Sequence, residues 1–153
     1  MKKQSTLLLL ISIFTAQVNL AQSPDQNVER DSKMIYDALD RYVEGWVSRD
    51  ANLAAQDYSY NIHWVDEVGK VIYIKKSLIE YLDQTFSLEE NTNPPYPSLS
   101  HQITYLSPKI GVVHSMQIDE GRKKYHLRVF RKEGDSWKII NHHTSLVHHK
   151  EGK

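Results

Sequence analysis

The chain has 153 residues, 40% hydrophobic and 25% charged, which suits one packed domain and excludes both global disorder and two full-sized domains. Its 19 basic and 19 acidic residues cancel, so it lacks the cationic excess that nucleic-acid binding needs, and no nucleic-acid partner is expected. With no cysteine, disulfide scaffolds, thiolate zinc sites and thiol nucleophiles are excluded.

Residues 1–21 read as a signal peptide. Lys2 and Lys3 open it, residues 7–14 (LLLLISIF) form an apolar run, and Ala21 offers a small residue before a polar stretch. Ser12, Thr15, Gln17 and Asn19 interrupt the run, which falls short of the roughly 20 apolar residues of a spanning helix. The expectation is export, to the bacterial periplasm or the medium, with no membrane contact after cleavage. Cleavage there leaves 17 basic against 19 acidic residues, a net charge of −2.

Residues 22–30 read as a flexible tail and residues 31–148 as the folded domain. Apolar residues at Met34, Ile35, Ala38, Leu39, Tyr42, Val43, Trp46 and Val47 keep the three-to-four spacing of one helix face, with Asp31 or Ser32 as its cap. A short second helix is predicted after Asp50, carrying Leu53 and Ala54. Residues 60–65 and 71–74 read as two strands joined by a turn over residues 66–70. Ser77 is the predicted cap of a third helix with Leu78, Ile79, Leu82 and Phe86 on its apolar side. Pro94, Pro95 and Pro97 make residues 87–100 a loop.

Four strands follow, over residues 101–107, 110–119, 122–132 and 136–147, with tight turns at Pro108-Lys109, Glu120-Gly121 and Gly134-Asp135. Residues 149–153 read as a C-terminal tail. Helices gathered early and strands late predict an α+β class, a curved sheet with helices against one face.

The turns set an expected register. If Glu120-Gly121 and Gly134-Asp135 are two-residue turns, Asp119 faces Arg122 and Glu133 faces Ser136. One face then carries Val113, Ser115, His126, Arg128, Phe130, Trp137, Ile139, Asn141, His143 and Ser145. Arg128 lies opposite Asn141, and His126 lies opposite both Ser115 and His143. Large apolar groups mixed with Arg, His, Asn and Ser have the makeup of a ligand pocket. Arg128 supplies a fixed, forked cation suited to a carboxylate, and His126 and His143 are the candidate proton carriers near neutral pH. The competing reading of such a face is a solvated outer sheet surface.

The stretch from Leu127 to Ser145, LRVFRKEGDSWKIINHHTS, resembles the end of the nuclear transport factor 2-like, or SnoaL-like, superfamily. It is most similar to the branch related to the association domain of calcium/calmodulin-dependent kinase II. Arg128, Val129, Trp137, His143 and Ser145 stand at the spacing of that pattern, while Leu127, Phe130 and Asn141 replace its Thr, Trp and first His. Upstream, Trp64-Val65-Asp66, Gly69-Lys70-Val71 and Lys76-Ser77-Leu78-Ile79 resemble the superfamily's strand–turn–strand–helix segment, and Trp46-Val47-Ser48-Arg49-Asp50 the end of its opening helix.

The resemblance implies a cone: a strongly curved antiparallel sheet wrapped around about three N-terminal helices, enclosing a cavity. It places Arg128 in that cavity with His143 nearby. The expected ligand-binding set is Arg128, His126, His143, Asn141, Ser115 and Trp64, holding a small molecule, with no cofactor and no metal. The family also implies a homodimer or larger homo-oligomer packed through the outer sheet face, where Val112, Met116 and Tyr125 are expected. Fold does not fix function. Some members isomerise ketosteroids or cyclise polyketides with a cavity Asp and a Tyr or Asp donor; Asp57, Asp66 and Asp119, and Tyr60, Tyr73 and Tyr81, are the residues available for such roles. A non-catalytic oligomerisation module is the third reading. A metal site would need His126, His143 and either His101 or His63.

Overall fold

The computed structural model describes residues 24–88, 100–119 and 122–147. The expected signal peptide, the proline-bearing segment 89–99 and the tail at 149–153 lie outside the described residues. The elements are α1 (Pro24–Ser48), α2 (Ala51–Ala54), β1 (Tyr58–Val65), β2 (Val71–Ile74), α3 (Lys75–Ser87), β3 (Ser100–Ser107), β4 (Ile110–Asp119), β5 (Arg122–Glu133) and β6 (Ser136–Val147).

Helix α1 starts seven residues before the position expected from its apolar pattern, so residues 24–30 are helical rather than a flexible tail. Proline suits a first helical turn, where its fixed φ is already helical and its missing N–H costs nothing. Asp31 and Ser32 consequently sit inside the helix and cap nothing. Asp31 instead receives Lys132 Nζ at 2.8 and 2.9 Å, and Ser32 Oγ lies 2.9 Å from the Tyr105 hydroxyl. Both contacts tie α1 to the sheet.

At the other end Arg49 turns the chain with a left-handed φ of 57°, and Asp50 caps α2 by accepting from Leu53 N at 2.9 Å. Gly45 of α1 faces the α2 backbone so closely that a Cβ there would stand 2.2 Å from Ala54 N. Ser77 does not cap α3. The N-cap is Ile74, with no side-chain hydrogen bond, because β2 runs directly into the helix.

The six strands form one open sheet in the order β2-β1-β6-β5-β4-β3. Every neighbouring pair is antiparallel except β1 and β6, which run parallel, so the sheet is mixed rather than wholly antiparallel. The α3 connection is long enough for the β3–β6 meander to dock its last strand along β1 in the same direction. The helix-facing side of the sheet carries Val113, Phe130, Trp137 and Ile139, which pack with Ile35, Ala38 and Leu39 of α1 and Leu78, Leu82 and Phe86 of α3 in one core. The α+β class and the helices lying against one sheet face are as expected.

The β4–β5 register is the expected one from Asp119↔Arg122 to Ile110↔Arg131. The β5–β6 register starts as expected, from Glu133↔Ser136 to Phe130↔Ile139, and then shifts. A bulge leaves Ile140 unpaired, and the pairing resumes as Val129↔Asn141, Arg128↔His142, Leu127↔His143 and His126↔Thr144. One extra residue in one strand inverts the facing of everything beyond it. His142 and Thr144 therefore share the helix-facing side with Arg128 and His126. Asn141, His143 and Ser145 lie on the outer side.

Candidate functional site

The helix-facing side holds a polar cluster inside the apolar core. Arg128, His126 and Ser115 belong to it as expected, and Trp64 is buried beside it. Asn141 and His143 do not. On the outer side His143 Nε2 is 3.0 Å and Asn141 Nδ2 3.3 Å from His63 Nδ1, with the His63 ring against Tyr73. The expected pairings of Arg128 with Asn141 and of His126 with His143 are therefore corrected, because the bulge at Ile140 turns those two side chains away. The metal set that combined His126 with His143 does not converge either. Among the described residues, no group of three or more His, Asp or Glu side chains is placed to hold a metal ion.

His142 takes the place expected for His143. It is 1% exposed, stands directly across from Arg128, and meets Tyr42 and Trp64 edge-on. Its Nδ1 is 2.6 Å from the Tyr58 hydroxyl and its Nε2 3.1 Å from His126 Nδ1. His126 Nε2 lies 3.0 Å from Gln117 Oε1, and Thr144 Oγ1 lies 3.2 Å from His126 Nδ1. A continuous hydrogen-bonded row thus runs from β1 across β6 and β5 to β4.

The protons of this row follow from its end. An amide oxygen only accepts, so His126 Nε2 donates to Gln117, His126 Nδ1 accepts from His142 Nε2, and His142 Nδ1 accepts from Tyr58. This tautomer assignment rests on the amide orientation of Gln117.

Beside the row lies Arg128, 2% exposed. Its guanidinium carbon stands 4.8 Å over the Tyr42 ring, and its NH1 donates to Ser115 Oγ at 3.3 Å. Since that bond uses the Ser115 oxygen as acceptor, the Ser115 hydroxyl proton is free to point to His101 Nδ1, 2.8 Å away. Arg128 Nε has no hydrogen-bond partner, and no carboxylate among the described residues forms an ion pair with the guanidinium.

The electrostatics follow from burial and this one cation. Burial, reinforced by Arg128, holds His126 down at about 2 and His142 well below the usual histidine value. His101 is lowered for the same two reasons. Burial pushes Tyr58 well above the usual phenol value and raises Tyr42, with Arg128 pulling both back. At neutral pH the cluster is therefore one guanidinium among neutral imidazoles and phenols.

Two of the three candidate carboxylates, Asp57 and Asp66, are engaged elsewhere. Asp57 accepts from Arg41 at 2.6 Å and Lys138 at 3.3 Å. Asp66 closes its own turn, accepting from Val68 N, Lys70 N and the Tyr81 hydroxyl. Tyr60 and Tyr73 are 72% and 62% exposed and face away from the cluster. Sequence reasoning missed Tyr42, Tyr58, Gln117 and His142. The available signal for His142 was the doublet Ile139-Ile140, which breaks the apolar–polar alternation of β6 where the bulge falls.

No family model and no curated protein matches the chain. Solved structures do. An NTF2-like protein with a cystatin-like fold from Novosphingobium aromaticivorans superposes with a TM-score of 0.70 at 15% identity, covering 90% of this chain and 94% of that one. A candidate calcium/calmodulin-dependent protein kinase II association domain from Xanthomonas campestris gives a TM-score of 0.61 at 16% identity, over 77% and 89%. A candidate dehydratase of the NTF2-like family from Streptomyces avermitilis gives 0.65 at 15%, over 78% and 99%. The protein is thus an α+β domain with an open mixed sheet folded over its helices. That fold is the nuclear transport factor 2-like, cystatin-like one, in agreement with the resemblance carried by residues 127–145.

Proposed function

We propose that this is an exported small-molecule-binding domain whose inner sheet face holds a partly apolar, carboxylate-bearing ligand against Arg128. The observation that carries the reading is the guanidinium itself. A buried charge is ordinarily paired, because its desolvation costs several kcal/mol. Among the described residues Arg128 has the Tyr42 face, the neutral Tyr42 and Tyr58 hydroxyls, one long bond to Ser115 and an unpartnered Nε–H, but no carboxylate. A ligand carboxylate supplies the missing counter-charge in forked geometry, and Trp64 and Tyr42 supply apolar walls. Export rests on the pattern of residues 1–21. Assembly as a homodimer or larger ring is supported by exposed Tyr125 and Leu127 on the outer face.

The test is a thermal-shift panel of monocarboxylates from benzoate to decanoate on the protein and on Arg128→Ala. The reading expects at least one acid to raise Tm in the protein and none in the variant. Equal shifts in both would overturn it.

One observation favours a second reading, an isomerase-like or cyclase-like enzyme. The row Tyr58–His142–His126 offers groups that both give and take protons, and a neighbour of the same fold is named as a candidate dehydratase. Turnover of an enolisable ketone that is lost in His126→Gln would support it.

A further inference from the structure

We propose that the row of Tyr58, His142, His126 and Gln117 is a proton acceptor coupled to Arg128, so that the site takes up its anionic ligand together with one proton. This rests on the binding role given to Arg128 above.

The geometry has three parts. First, the row is continuous, with bonds of 2.6, 3.1 and 3.0 Å, and the two imidazoles face each other nitrogen to nitrogen. The hydrogen already held between His142 Nε2 and His126 Nδ1 lets the two rings share the charge of a proton added at His142 Nδ1, and neither ring has to move to accept it. Second, the row is anchored at one end only. Gln117 fixes His126, while Tyr58 ends the row at the wall where Arg128 stands. A proton from solvent that reaches the Tyr58 oxygen as the anion enters is passed on as the phenol's own proton moves to His142 Nδ1. The imidazolium charge then lies on the pair, and Tyr58 is again neutral. Third, every group that acts most strongly on the pair opposes a positive charge there.

Those groups come from every side. Strand β5 contributes Arg128 and Lys124, β3 contributes His101, and β6 contributes His143 behind His142. Tyr58 of β1 and Tyr42 of α1 are neutral phenols. Glu67 of the β1–β2 turn is engaged with Lys124 at 2.9 Å. In the empty site protonation therefore puts a second charge beside Arg128 in a dry core. An anion on Arg128 offsets the guanidinium's part of that opposition and adds an attraction, so ligand and proton favour one another by the same factor in both directions. The row explains why two histidines without any carboxylate partner are kept next to a buried guanidinium.

Benzoate is the probe, titrated calorimetrically into the protein at about pH 5.5, in cacodylate and in Bis-Tris, whose ionisation heats differ. Coupling expects a binding heat that differs between the two buffers in the sense of proton uptake, and an apparent Kd that weakens as pH rises. In His126→Gln the uptake per bound benzoate falls towards zero. Benzoate binding with no proton uptake overturns the coupling and leaves the binding role of Arg128 standing.

Absence of any benzoate binding overturns the binding role, and a second measurement then still tests the coupling. Nitrogen-15 NMR titration of His126 and His142 is compared between the protein and Arg128→Gln. The coupling expects the midpoint of the pair to rise by about one pH unit or more when the guanidinium is removed. Unmoved midpoints refute it.

Discussion

Replacing Arg128 by methionine separates a guanidinium kept for a ligand from one kept for the fold. In the empty protein the effective cost of burying an ion of this kind is several kcal/mol, taken here as about 5. A desolvated cation over the Tyr42 ring returns about 2 kcal/mol, and the charged hydrogen bond to Ser115 about 2 more at best, given its length of 3.3 Å. Roughly 1 kcal/mol of charge burial is left without compensation. Methionine fills most of the same volume with apolar atoms and leaves Ser115 bonded to His101. Arg128→Met is therefore expected to stabilise the protein by about 1–2 kcal/mol. For a domain of this size that raises Tm by roughly 4–8 °C near neutral pH. The same variant should lose every carboxylate-induced shift. Stability gained as binding is lost is the pattern of a site held against the preference of the core. The assay is calorimetric unfolding with and without benzoate. A fall in Tm of about 3 °C or more would show that the arginine is a structural strut, and the argument from its missing counter-charge would fail.

Three further outcomes are expected. Stability should fall on mild acidification, because His126 and His142 bind protons less readily folded than unfolded. Their contribution is complete above the unfolded value of about 6.5 and is lost as pH drops below it, at up to about 2.7 kcal/mol per pH unit for two sites. Urea unfolding at about pH 7, 6 and 5 measures this, and a flat profile would contradict the neutral pair. Gly45→Ala should cost about 1–3 kcal/mol or more, since its Cβ would meet Ala54 N at 2.2 Å and backbone cannot step aside; a Tm within about 2 °C of the parent would refute the close α1–α2 approach. Lys132→Met should cost about 2–3 kcal/mol by taking the close ammonium from buried Asp31, which then has Arg30 at 3.9 Å, and adding Asp31→Leu should recover most of it. Denaturant midpoints of the two variants check that recovery.

Much of the architecture was legible because it is local. Turn residues at Gly134-Asp135 set the start of the β5–β6 hairpin, and the β4–β5 register holds from Asp119↔Arg122 to Ile110↔Arg131. The helix faces of α1 and α3 follow from apolar spacing. What failed was non-local or compensated. Nothing in the spacing of β1 says that it lies parallel to β6, since that pairing is decided by the docking of the whole meander on the helices. Residues 24–30 carry one apolar side chain, the exposed Val28, so periodicity gave too little to set the start, although a proline opens the helix. Ser77 has the right side chain for a cap but sits past the start of α3, because β2 feeds the helix directly.

The bulge at Ile140 is also what makes the site. In the unbroken register Asn141 and His143 would face the helices and His142 would face outward, opposite Leu127. The inner face would then offer Arg128 one amide and one imidazole from the matching positions. The extra residue brings His142 directly across from Arg128 and Thr144 across from His126. That shift puts Tyr58, His142, His126 and Gln117 into one row. Bulges bend a sheet and re-aim side chains together. Here both effects fall at one point, where the sheet folds over α1 and where its polar groups meet. Deleting Ile140, the extra residue, is therefore expected to straighten β6 while leaving His142 across from Arg128 and Thr144 across from His126, because Asn141 then follows Ile139 in unbroken alternation. Nitrogen-15 spectra check this, with the hydrogen-bonded pair of His126 and His142 keeping its parent signature in the variant. Loss of that signature would show that the bulge itself is needed to hold His142 in the row.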